Sequence, residues 1–162
     1  MSLRLSIPGK PVAWARPRFN RATGAVFTDG RHASYADRVQ QEWIAAGRPK
    51  LDTGPFRVAV YVEVARPKGH FLRRGSLSKA GVEAGWFPTG RPDIDNIAKG
   101  IVDALMAVAA IPDDAAMVEL HAAKQYAANV GDGWNVIVVA EPADGARDLL
   151  DVVAQVRREA TA

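Results

Sequence analysis

Nine consecutive residues, Phe56–Val64, read FRVAVYVEV and put Phe56, Val58, Val60, Val62 and Val64 on one side of the chain. An apolar period of two is the signature of a β-strand. A second segment, Asp93–Val108, repeats its apolar residues at helical spacing, with Ile97, Ile101, Leu105 and Val108 in one stripe. A strand that needs neighbours and a helix that needs a face to cover predict helices laid on a sheet.

The flanking segments extend this pattern. Leu3, Leu5 and Ile7 alternate with polar residues and stop at Pro8-Gly9, which predicts a first strand. Ala25–Thr28 reads as a short strand. Residues 34–46 predict a helix with Ser34 as N-cap, Gly47 as its stop, and Tyr35, Val39, Trp43 and Ala46 on one face. Ser76–Ala84 reads as a short helix inside a Gly- and Pro-rich stretch, Arg66–Arg91, whose length without periodicity suits a functional or a disordered loop. Pro112-Asp113-Asp114 is a turn signal. Met117–Ala127 and Trp134–Ala140 read as a strand pair joined through Asn129–Gly133. Residues 145–159 predict a C-terminal helix packing Leu149, Leu150, Val153 and Val156. With no internal repeat or linker, residues 1–162 are expected to form a single mixed α/β (α+β) domain, with helices packed on a mixed β-sheet.

A chain of 162 residues is long enough to close one hydrophobic core. No apolar run approaches the roughly 20 residues of a membrane-spanning helix, and the N-terminus lacks the apolar stretch of a secretory signal. There is no cysteine, so thiol catalysis and zinc-thiolate sites are excluded, and a reducing cytoplasm is the expected setting. Any metal must be held by carboxylates, histidine or water.

Charge is divided unevenly along the chain. Residues 1–91 carry 16 Lys and Arg against 6 Asp and Glu, a balance of +10. Residues 92–162 carry 5 against 12, a balance of −7, giving the net +3. Fifteen of the 21 basic residues are Arg, whose planar fork of donors suits phosphate. A basic half beside an acidic half fits a polyanion-binding surface next to a carboxylate cluster; uneven solvated charge is the plainer reading.

The carboxylates concentrate in RPDIDNIAKGIVDAL (Arg91–Leu105) and IPDD (Ile111–Asp114). Residues two apart on a regular helix point about 200° apart, so Asp93 and Asp95 cannot both aim at one ion from inside a helix. With Asp93 still extended after Pro92, both reach one point ahead of the helix N-terminus. Lys99 and Asp103 follow at one-turn intervals, and Asp113-Asp114 returns a third carboxylate to that end if the chain doubles back. Clustered aspartates and oxygen-only ligands suit Mg²⁺ or Mn²⁺ and metal-assisted phosphodiester hydrolysis. A lysine beside the site would polarise the phosphate or position the water. Structural readings stand beside this one: Asp93 as an N-cap, Asp95 with Lys99 as an i,i+4 ion pair, and Asp113-Asp114 as a turn.

The run RPDIDNIAKGIVDAL followed by IPDD resembles the RusA family of Holliday junction resolvases, whose pattern is approximately [RK]-P-D-x-D-N-x-x-K-x-x-x-D-[AG]-L and then a D-D pair. Asp93, Asp95, Asn96, Lys99, Asp103, Leu105, Asp113 and Asp114 all match it. IPGKPVAWARPRF and GAVFTDGRHASYADRV are similar to the family's opening strand, Arg-Pro-Arg loop and helix, so the likeness spans about residues 7–139. It implies a homodimeric, Mg²⁺-dependent endonuclease, with Mn²⁺ a possible substitute, that resolves four-way DNA junctions by paired symmetric nicks in recombination and repair; such proteins are common in phages and prophages. It assigns metal binding to Asp93, Asp95 and Asp114, with Asp113 the less certain member of its pair, and a catalytic role to Lys99. Asp103 more often looks structural. Two departures from the pattern are Pro112 before the acidic pair and the stretch MAVAA in place of an asparagine-glycine turn.

Arg16, Arg18, Lys68, Arg73, Arg74, Lys79 and Arg91 are candidates to hold DNA phosphates; a solvated basic loop is the alternative. Phe71 or Trp86 would stack on an unpaired base or pack internally. His32, His70 and His121 lack ligand spacing, and Lys124 is either structural or phosphate-facing. Competing functions are a nuclease with a broader diet of flaps and forks, and a junction-binding protein without catalysis.

Overall fold

Strand β4 (Phe56–Val64) is buried on both faces along almost its whole length, which requires a neighbour on each edge and cover above and below. The computed structural model describes residues 2–13, 18–19, 21–24, 26–27, 30–129 and 131–143, with Ala154, Gln155 and Arg158. In it, β4 lies inside a four-stranded mixed sheet of order β1-β6-β4-β5. β1 (Leu3–Pro8) and β6 (Asn135–Pro142) are antiparallel, as are β6 and β4, whereas β5 (Met117–Tyr126) runs parallel to β4. β2 (Arg18–Phe19) and β3 (Val26–Phe27) form a separate two-stranded ribbon.

One sheet face carries the main core. Leu3, Leu5 and Ile7 of β1 and the even-numbered valines of β4 pack with Tyr35, Val39 and Trp43 of α1 (Gly30–Ala45) and with Ile97, Ile101 and Leu105 of α3 (Ile94–Ala107). Deleting such a side chain, as in Ile101→Ala, costs about 2–5 kcal/mol in comparable cores. On the opposite face Ala59, Tyr61, Ile137 and Val139 form a smaller buried cluster. The structure is thus one α+β domain, and among the described residues no helix is long and apolar enough to cross a membrane.

Two expectations need correction, over the first helix and over the pairing of β5 with β6. The helix expected over residues 34–46 begins at Gly30, and the Ser34 hydroxyl donates to the Gly30 carbonyl at 3.1 Å from within the helix instead of capping it. Ala46 lies past the helix end and is exposed. β5 and β6 do not pair with each other, because β4 lies between them. A connection of eight residues is long enough to step over one strand, and the apolar β4 takes the centre while the more polar β5 takes the edge. Of the expected C-terminal helix at 145–159, Ala154, Gln155 and Arg158 are helical and the remainder lies outside the described residues.

Candidate metal and nucleic-acid site

The N-terminus of α3 is built by the turn before it. The Arg91–Pro92 peptide is cis, and Asp93 follows in extended geometry, φ −73° and ψ 136°, as the N-cap residue. Its carboxylate makes no capping hydrogen bond. Asp95 lies in the first turn, where a negative charge is favoured by the helix dipole. Both aspartates are exposed. Neither side chain has a hydrogen-bond or ion-pair partner among the described residues, so the capping reading of Asp93 does not hold.

Lys124 of β5 fixes this turn. Its ammonium donates to the Gly90 carbonyl at 2.7 Å and to the Pro92 carbonyl at 3.1 Å. Of the two roles open to it in the sequence, the structural one is realised. Lys99 lies one turn beyond Asp95, with its Nζ 3.8 Å from an oxygen of Asp103. Lys99 is half exposed and Asp103 less so, and the ammonium leans toward Asp103, one turn further along α3 from the aspartate pair.

Asp113 and Asp114 lie at the other end of the sheet. α3 carries the chain about 20 Å away from Asp93 at 1.5 Å per residue. The Ala110 carbonyl then accepts from the Leu51 N–H, just ahead of β4, and β5 starts with Met117 opposite Phe56. The chain does double back, but Asp114 precedes the ten-residue return leg and Lys124 is near its end. Asp113 and Asp114 flank the start of a short 3₁₀ turn, Asp114–Ala116, in which an Asp113 carboxylate oxygen accepts from the Ala115 N–H at 2.9 Å. That bond, followed by the contact with Asp114, lowers the pKa of the Asp113 carboxyl. Asp113 is therefore engaged in a turn. Among the described residues, no three histidine or acidic side chains come together as a set that would hold an ion. One chain supplies the pair Asp93 and Asp95, and Mg²⁺ commonly takes one or two carboxylates from protein, with water and phosphate completing its shell.

The basic candidates divide. Lys68, Arg73, Arg74, Lys79 and Arg91 are all exposed along the 66–91 excursion, with Lys79 3.9 Å from Glu83. Arg18 opens β2, and Arg16 lies outside the described residues. Arg66, which the sequence does not single out, is buried. It donates to the Gly81 and Gly85 carbonyls at 3.0 and 2.8 Å, with its guanidinium 5.5 Å from the Trp86 ring centroid and 4.6 Å from that of Tyr126. Its signal in the sequence is an Arg two residues past the end of the apolar strand β4. The excursion is thereby ordered, with a 3₁₀ turn at Lys68–His70, a Phe71–Leu77 bridge and α2 (Lys79–Glu83) capped by Ser78. Trp86 and Phe87 remain exposed, whereas Phe71 is half-buried.

Comparison with known proteins identifies the family. The family model described as Endodeoxyribonuclease RusA matches residues 8–133, which contain every aspartate and lysine discussed above. The chain is also similar to the uncharacterized protein YqaN of Bacillus subtilis (strain 168), 32% identical over 127 residues that cover 76% of this chain and 87% of YqaN. With the aspartate pair at the head of α3, the Asp113-Asp114 turn and a family match over most of its length, the chain belongs to the RusA endodeoxyribonuclease family.

Proposed function

We propose that the protein is a Mg²⁺-dependent endonuclease, with Mn²⁺ as an alternative ion, that resolves four-way DNA junctions as a homodimer in the cytoplasm. The observation that carries this is the pair of exposed, unpartnered carboxylates, Asp93 and Asp95, on a turn held rigid by Lys124 and flanked by Arg91 and Lys99. A bound cation there supplies an activated water and a positive charge for the phosphate. Asp93 and Asp95 hold that ion from the helix head. Lys99 offers a positive charge to the scissile phosphate, and the exposed Arg and Lys of the 66–91 excursion grip the backbone of the arms.

Asp114 enters this site from a second copy. β5 is an edge strand that exposes Val118 and Leu120 near its Asp114 end. Antiparallel apposition of two β5 edges across a two-fold axis carries the Asp114 end of each chain toward the Lys124 end of the other. Each of the two acidic sites then contains residues of both chains, and two related sites suit a substrate with near two-fold symmetry.

The test is cleavage of a four-way junction with Mg²⁺, with Mn²⁺ and with EDTA, alongside flap, fork and linear duplex substrates. Paired metal-dependent nicks in the junction are expected, with duplex spared. Asp95→Asn should lower cleavage at least about a hundredfold while junction affinity stays within about twofold. Normal cutting by that variant removes the mechanism, and equal cutting of flaps and forks replaces junction selectivity with a broader branched-DNA activity.

A further inference from the structure

A second cleft lies between the turn after β1 and the first half of α1. It encloses about 200 Å³ and is lined by Lys10, Val12, Arg31, Ser34, Tyr35 and Arg38. Three of the six are cations and none is acidic. The first turn of α1, from Gly30 onward, likewise carries no acid.

The cleft is built. Arg38 Nη1 donates to the Pro8 carbonyl at 3.1 Å, which holds the guanidinium across the turn. Gly9 adopts φ +93°, a conformation that favours glycine, and the Arg38 guanidinium lies against the space a Cβ there would take. The Lys10 ammonium lies 5.3 Å from the Trp134 ring centroid, over the indole face. Among the described residues neither Lys10 nor Arg38 has a carboxylate partner. Tyr35 forms the floor, only 5% exposed, and its enclosed hydroxyl lacks a hydrogen-bond partner among the described residues. The Ser34 hydroxyl is already spent on the Gly30 carbonyl, which leaves the cations as the recognising groups.

We propose that this cleft binds a phosphodiester of the DNA backbone through Lys10, Arg31 and Arg38, anchoring one duplex arm beside the acidic head of α3. The anchoring role rests on the endonuclease reading, whereas the oxyanion chemistry stands on the cleft alone. Its position fits. Pro8 at the end of β1 pairs with Asn135 at the start of β6, and Trp134, the ring that the Lys10 ammonium covers, lines the neighbouring cleft around Arg91, Pro92 and Lys124. The anchor and the Asp93 turn therefore occupy one end of the sheet. Contacts of this type carry no base information; they set the register of a duplex on the protein.

The test compares Asp95→Asn protein with the same protein carrying Lys10→Ala and Arg31→Ala. Both side chains are exposed, and circular dichroism checks that the fold is kept. Affinity for a four-way junction is measured by anisotropy over a series of salt concentrations. Two lost phosphate contacts should reduce the slope of log K against log salt by about 2 and weaken low-salt binding at least about tenfold. The charge-keeping pair Lys10→Arg and Arg31→Lys should retain the slope. An unchanged slope in the alanine variant overturns the anchor. In parallel, inorganic phosphate is titrated into the wild-type protein while Tyr35 and Arg38 resonances are followed. Shifts there with an unchanged DNA slope identify a small-anion site and overturn the DNA anchor. If the Asp95→Asn protein binds no DNA at all, the endonuclease reading falls first and takes the anchor with it.

Discussion

At Ala109 the backbone takes φ 53°, in the left-handed region where any side chain beyond glycine is strained. The reason is local. After Val108 caps α3, the Ala109 N–H donates to the Met106 carbonyl and the Ala110 N–H to the Leu105 carbonyl, each at 2.9 Å. These two bonds satisfy the last helical carbonyls in a Schellman motif, which asks for glycine at the Ala109 position. α1 ends the same way with glycine in that place, Gly47 at φ 85°. Ala109→Gly should therefore stabilise the fold by roughly 0.5–1 kcal/mol, read as a higher urea midpoint at unchanged m-value. The departure MAVAA is visible in the sequence, but the residue that bears its cost is identified only by the backbone angle. The aspartates behave likewise. Asp93 and Asp113 each read as a cap or a ligand; Asp113 does cap its turn, and Asp93, at an N-cap position, leaves its carboxylate unused.

Between elements, two cations hold the irregular chain that periodicity cannot describe. Arg66 ties the 66–91 excursion to β5 through two carbonyls and two aromatic rings, reinforced by the Tyr126 N–H donating to the Trp86 carbonyl at 2.9 Å. Arg66→Ala leaves buried carbonyls unpaired and should cost roughly 2 kcal/mol, with faster proteolysis inside 66–91. Arg66→Lys recovers little of this, because an ammonium cannot reproduce a planar two-pronged donor. Lys124 does the equivalent for the Gly90–Pro92 turn. Lys124→Met should let that turn move and raise the Mg²⁺ concentration needed for half-maximal cleavage by about tenfold, with DNA affinity little changed. Neither role is legible in the sequence, since all four acceptors are backbone carbonyls many residues away.

For the whole molecule, the separation of Asp93 and Asp95 from Asp114 by the length of α3 makes subunit mixing decisive. Asp95→Asn and Asp114→Asn proteins should each be inactive alone. If Asp114 acts across the two-fold axis, a mixed dimer has one site with both lesions and one with none. Mixing the two variants should then restore single-strand nicking of junctions, up to about a quarter of the wild-type sites for random exchange of equal amounts. No recovery, with exchange verified by mass, means that each chain completes its own site.

The sequence by itself determined the α+β class, the strands β1 and β4, the helix α3 with its apolar stripe, and the family, because these rest on period, turn chemistry and a fixed motif within one stretch of chain. It also marked Asp93, Asp95, Lys99 and the Asp113-Asp114 pair as the acids and lysine of interest. Only the tertiary structure decided that β4 stands between β5 and β6, since strand order depends on which strand must be buried on both faces. It alone revealed Arg66 as an internal clamp and the cationic cleft at Lys10, Arg31 and Arg38. It alone set Asp114 at the far end of the return strand, because a motif records spacing along the chain, and the direction in which that chain is folded back is a property of packing.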